Sequence, residues 1–124
     1  MRLNNQILKE FQDYDFSLIK EDKLFLVGST RFLDYFVKIE SILQIKYKKL
    51  VSIASVDGLL NKDMFSEDEW EILQEIVLSK LKDQEAILVL DINGYIGDHT
   101  RQEIKFFQNE IHRPIYYLSR LRIS

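Results

Sequence analysis

The 124-residue chain predicts a three-layer α/β fold, with a doubly wound parallel sheet of four to five strands in the order 2-1-3-4. Two observations predict it. Short apolar runs alternate with longer segments of helical periodicity, which is typical of parallel sheets with right-handed crossovers. In addition, all four glycines follow a predicted strand, at the edge where open parallel sheets bind ligands.

The first strand is predicted over residues 23–28, because KLFLVG is a short apolar run that suits a strand buried on both faces. The segment after it carries an apolar stripe with helical spacing, formed by Phe32, Phe36, Ile39 and Leu43. Residues 48–56 are rich in β-branched side chains and predict the second strand. The polar segment that follows it is interpreted as a solvated loop.

Ser66 and Glu69 have the spacing of a capping box and predict the start of the next helix. Its apolar face is formed by Trp70, Leu73, Val77 and Leu81. Residues 85–92, EAILVLDI, predict the third strand and have the clearest buried pattern in the chain.

A helix is then predicted over residues 100–110, and Pro114 ends it. Its inward face is formed by Ile104, Phe107 and Ile111. Residues 114–119 predict the fourth strand. Four strands separated by helices give the order 2-1-3-4, with the switch point between strands one and three.

The first twenty residues form an N-terminal helical extension to a single α/β domain at residues 21–124. They carry a further stripe with helical spacing, formed by Leu3, Ile7, Phe11 and Tyr14. We expect this stripe to be buried on the sheet's helices or on a second subunit, because a solvated apolar stripe of this length is unfavourable.

Composition excludes several classes of function. The chain has no cysteine and only two histidines, far apart in sequence, so we expect neither a metal site nor a cofactor. A net charge of −3 argues against binding a nucleic acid polymer. No apolar stretch is long enough to span a membrane. These observations predict a soluble, cytoplasmic protein.

Two segments meet at the predicted switch point. The first, Gly28, Ser29, Thr30 and Arg31, offers backbone N–H groups, hydroxyls and a guanidinium to an anion such as phosphate. The alternative is that Ser29 or Thr30 only caps the following helix. The second segment, NGYIGDHT at residues 93–100, lies opposite and contains Tyr95, an aromatic ring suited to covering a ligand.

Thr100 and Glu103 allow two interpretations. Their spacing is that of a capping box, in which Glu103 reaches back to the helix start. Alternatively, Glu103 faces the ligand, and Asp98 supplies the second carboxyl group that glycosyl transfer uses. His99, between Asp98 and Thr100, is interpreted as a surface residue.

The segments LFLVGSTRF, ILVLDINGYIGDHTRQEI and RPIYYL together resemble the nucleoside 2-deoxyribosyltransferase-like superfamily, especially its small bacterial and phage members. The likeness covers residues 23–118. It implies a compact flavodoxin-like or Rossmann-like fold that binds a nucleoside or nucleotide. It also implies that Glu103 is the nucleophile, that Thr100 is the threonine three places before it, and that Asp91 is the acid ending the third strand. The remaining contacts implied for the ligand are Gly94, Tyr95 and Gly97.

We therefore expect cleavage or transfer of the N-glycosidic bond of a nucleoside or nucleoside monophosphate. Glu103 and Asp98 would be the catalytic residues, and the protein would be a homo-oligomer. The alternative is a non-catalytic nucleotide-binding or regulatory module that uses the same crevice, with Glu103 acting as a helix cap.

Overall fold

Four parallel strands form one sheet in the order β2-β1-β3-β4 in the computed structural model, which describes residues 1–123, and this confirms the predicted topology. The strands are β1 (Lys23–Val27), β2 (Leu50–Ser52), β3 (Ala86–Val89) and β4 (Ile115–Tyr117). Leu24 of β1 pairs with Val51 on one side and with Ala86 on the other. The central strands β1 and β3 are almost wholly buried, which explains their continuous apolar sequence.

Helices cover both faces of this sheet. They are α1 (Asn5–Glu10), α2 (Leu33–Ser41), α3 (Val56–Leu60), α4 (Glu67–Leu81) and α5 (Asp98–Phe106). Leu24 and Leu26 pack in a core cluster with residues of α1 and α2. Phe25 and Val27, which alternate with them, pack in a second cluster with residues of α4 and with Phe107. The result is the expected three-layer arrangement.

Helices α2 and α5 both continue into a π-helical turn, at Ile42–Lys46 and Phe107–Ile111. The second turn ends at His112, whose backbone is left-handed (φ 59°). Phe107 is fully buried as predicted, whereas Ile104 and Ile111 are only partly buried. Within residues 1–123, no helix has the length and apolar character needed to cross a membrane.

The second strand is much shorter than predicted. The pattern predicts residues 48–56, but the strand spans only Leu50–Ser52 because the backbone at Lys48 is left-handed (φ 57°) and a new helix starts soon after the strand. Ser55 caps that helix by accepting a hydrogen bond from the Gly58 N–H at 3.0 Å. The segment predicted as a solvated loop therefore contains α3, and Gly58 lies within this helix.

The N-terminal segment packs on the main core of the same chain. Ile7 and Phe11 are buried as predicted, while Leu3 is partly buried. The helix itself is short, and Asn4 caps it by accepting from the Ile7 N–H at 3.0 Å. The stripe is thus covered by the chain's own core.

Candidate functional site

A cavity lies beyond the carboxyl end of β1, where the loops after β1 and β2 meet α3, α4 and the start of α5. Its lining residues are Leu26, Val27, Gly28, Thr30, Phe36, Ala54, Ser55, Gly58, Leu59, Trp70, Leu73, Gln74, Val77, His99, Thr100 and Glu103. Most of these side chains are apolar. Open parallel sheets bind ligands at this edge, so the cavity lies where the topology predicts a site.

Glu103 faces this cavity and does not cap the helix. Helix α5 begins at Asp98, with Gly97 as the N-cap and no side-chain capping bond, two residues earlier than the pattern predicts. The capping-box interpretation of Thr100 and Glu103 is therefore wrong. Glu103 lies in the second turn of α5, only 7% exposed, and contributes a carboxyl group to an apolar wall.

Burial changes the acidity of this group. Desolvation of the carboxylate raises the pKa of Glu103 from its ordinary 4.5 to about 7, an effect that the neighbouring Gln74 side chain partly opposes. Within the described part of the chain, no lysine or arginine lines the cavity to neutralise the carboxylate. A strongly perturbed carboxyl group in a concave cavity is typical of a functional site.

Two glycines allow side chains to approach the cavity closely. A Cβ atom on Gly28 would lie 3.1 Å from Leu90 Cβ and 3.3 Å from Phe36 Cζ. A Cβ atom on Gly58 would lie 3.4 Å from Trp70 Cη2. Gly28 thus lets α2 pack against the end of the sheet, whereas a Cβ atom on Gly58 would press mainly on Ser55, 3.2 Å from its Cβ.

A shallow groove adjoins the cavity and contains further predicted residues. It is lined by Gly28, Ser29, Thr30, Gly97, Asp98, His99 and Thr100. Thr30 and His99 line both the groove and the cavity, so the two are adjacent. Ser29 accepts a hydrogen bond from the Arg31 N–H at 3.3 Å, so it caps the short 3-10 turn at Thr30–Phe32, while the helix α2 that follows has no side-chain cap.

Four other predicted residues line neither the cavity nor the groove. The guanidinium of Arg31 stacks on the Tyr95 ring, 3.9 Å from its centroid. Asp91 is buried and accepts hydrogen bonds from the N–H and Oγ of Ser119 at 2.9 and 2.6 Å, so it ties the end of β3 to the segment after β4. Gly94 provides a turn with positive φ (77°).

Sequence reasoning missed the walls that α3 and α4 contribute. The missed lining residues are Ala54, Ser55, Leu59, Trp70, Leu73, Gln74 and Val77. His99 is exposed, as the sequence predicts, and also lines the cavity. Gln74 was detectable, since a polar residue stands between Leu73 and Val77 on the apolar face of the helix. The wall from α3 was not detectable, because a five-residue helix is too short for helical periodicity to show.

Comparison with protein-family models, with curated proteins and with solved structures found no match to this chain. Among residues 1–123, no group of three or more histidine, aspartate or glutamate side chains is placed to hold a metal ion.

Proposed function

We propose that this protein cleaves or exchanges the N-glycosidic bond of a nucleoside or nucleoside monophosphate, with Glu103 as the nucleophile. The observation that carries the proposal is the Glu103 carboxyl group, buried in an apolar cavity at the ligand-binding edge of the sheet. The resemblance of residues 23–118 to nucleoside 2-deoxyribosyltransferases supplies the type of reaction. The rival is a non-catalytic binding module that uses the same crevice; the absence of a capping contact in α5 bears only on the role of Glu103 as a cap.

The reaction has two displacement steps. An ionised Glu103 oxygen attacks the anomeric carbon, and the bond to the base breaks with its electron pair going to the base nitrogen. The departing base takes a proton from water, and Asp98, which lines the adjacent groove, holds a hydroxyl group of the sugar. Water or a second base then attacks the same carbon and loses its proton to the solvent, and the ester bond breaks with its electron pair returning to the Glu103 carboxylate, which releases the sugar. The low polarity of the wall favours a delocalised, oxocarbenium-like transition state paired with the carboxylate.

The test is a chromatographic screen for free base released from deoxynucleosides and their monophosphates. Glu103→Gln keeps the size of the side chain but cannot form the glycosyl ester, so base release should fall by orders of magnitude. Glu75→Gln is the matched control, because Glu75 is an exposed glutamate on α4 and should keep wild-type turnover. Unchanged turnover in Glu103→Gln would refute the mechanism.

The pH dependence tests the role assigned to Glu103. A nucleophile must be ionised, so the rate should rise with pH and reach half of its plateau near pH 7, where the pKa of Glu103 lies. If Glu103 instead donated a proton, the rate would fall as the pH rises above 7. Initial rates of base release between pH 5 and pH 9 distinguish the two.

A further inference from the structure

His99 lies where the cavity opens to solvent. The residue is exposed, and it lines the cavity that contains Glu103, the adjacent groove and a third, open pocket. The charged residues in the wall of this open pocket are Lys62, Asp63, Glu67 and Glu71. Since an open pocket with charged walls is hydrated, water reaches the apolar cavity alongside His99.

Helix α5 sets the position of His99 relative to Glu103. His99 precedes Glu103 by four residues, so the two side chains project from the same face of the helix, with Cβ atoms about 5–6 Å apart. The Gln74 amide donates to the backbone carbonyl of His99 at 3.3 Å, which ties the first turn of α5 to α4 without engaging the imidazole. The turn that carries the imidazole is thus held in place beside the proposed nucleophile.

We propose that His99 is the general base of the second displacement and that water is the acceptor. The proposal rests on the proposed function, because it needs the ester between Glu103 and the sugar. A water molecule that enters at His99 attacks the anomeric carbon, and its proton passes to an imidazole nitrogen. The ester bond breaks with its electron pair returning to the Glu103 carboxylate, and His99 then releases the proton to the solvent. The reaction is therefore hydrolysis, with the free base and the free sugar as products.

The other polar side chains of the cavity are poor candidates for this proton transfer. Within the described part of the chain, they are hydroxyl groups, the Gln74 amide and Glu103 itself. Hydroxyl groups and amides are weak bases at neutral pH, and Glu103 is esterified when the water attacks. Imidazole is the side chain used most often as a general base. The composition of the cavity wall thus assigns the step to His99.

The experiment measures the first turnover and the steady state separately, by quench-flow with the four natural deoxynucleosides and their monophosphates. In His99→Gln, the first equivalent of free base should appear at the wild-type rate, because His99 takes no part in the first displacement. Later turnovers should be about 100-fold slower, which is at the lower end of what a general base contributes. The intact mass of the variant should then show the sugar bound to the protein. Sodium azide should restore turnover, since the azide ion attacks the ester without losing a proton.

His112→Asn is the matched control. It removes the other histidine, which is exposed beyond the far end of α5 and has a left-handed backbone that asparagine tolerates, and both phases should keep their wild-type rates. His99→Asn repeats the measurement if His99→Gln does not fold. Unchanged later turnovers, or equal slowing of the first and later turnovers, would overturn the role of His99 while the proposed function stands. If the wild-type protein releases no base, the proposed function fails and the role of His99 fails with it.

Discussion

Glu103 is a carboxyl group in a place where its ionised form is poorly solvated. Its pKa is raised to about 7 by burial, so the folded protein holds this proton more tightly than the unfolded chain does. The stability associated with this proton is fully present below about pH 4.5 and is lost as the pH rises to about 7. The site thus carries a cost in stability at neutral pH, which is common where a group is retained for chemistry.

We predict that Glu103→Gln removes this cost. Glutamine resembles the protonated acid, so the free energy of unfolding of the variant relative to wild type should increase as the pH rises from 4.5 to 7, by up to roughly 3 kcal/mol. Urea denaturation at several pH values measures the difference, in which the other titrating groups cancel. A constant difference across this range would mean that Glu103 keeps an ordinary pKa in the fold.

The sequence predicted Glu103 as a site residue but left its orientation open, for a physical reason. A threonine three places before a glutamate fits both a helix cap and an inward-facing acid. The start of the helix decides between them, and it lies at Gly97, which offers no side chain as a signal. Arg31 and Tyr95 were predicted as separate ligand contacts, and their mutual stacking could not be read from residues so distant in sequence.

At the scale of elements, the end of β1 controls how closely α2 approaches the sheet. We predict that Gly28→Ala destabilises the fold by about 1–3 kcal/mol, since its Cβ would press on Leu90 and Phe36 in a packed core. Gly97→Ala is a matched control. Its Cβ would meet only Tyr95, at ordinary distances, and it should cost under about 1 kcal/mol through the weaker N-cap. Thermal unfolding of both variants measures the loss of stability. Equal losses of stability in the two variants would show that Gly28 is not closely packed.

The individual strands and helices show which parts of the fold the sequence pattern predicts. Strand β1 was predicted to within one residue at each end, and β3 to within one residue at its start and three at its end, because burial on both faces leaves a continuous apolar run. The strand predicted for β2 was too long. This strand lies at an edge of the sheet, and β-branched residues continue beyond it into a segment that does not pair. Helix α3 was missed because it has only five residues, too few for helical periodicity to show.

At the scale of the whole molecule, the two ends of the chain are tied together. The N–H of Asp15 donates to the Leu121 carbonyl at 2.7 Å, and the N–H of Ile123 donates to the Asp13 carbonyl at 2.6 Å. Tyr14 and Arg122 form an isolated antiparallel bridge between the same segments. The N-terminal segment also supplies four buried residues of the larger core cluster, namely Ile7, Phe11, Phe16 and Ile19. The segment is therefore a structural part of the α/β unit.

We predict that removing residues 1–19 abolishes cooperative folding. The loss uncovers one face of α2 and of the sheet, and truncating a single buried phenylalanine such as Phe11 already costs about 3–5 kcal/mol, comparable to much of the stability of a small domain. Removal of Met1 and Arg2, which are exposed, is the control and should leave the melting temperature unchanged. Circular dichroism melts and binding of a hydrophobic dye to both truncated chains measure the outcome. A cooperative transition near the wild-type temperature in the shorter chain would show that the chain from residue 20 onward holds the fold without the N-terminal segment.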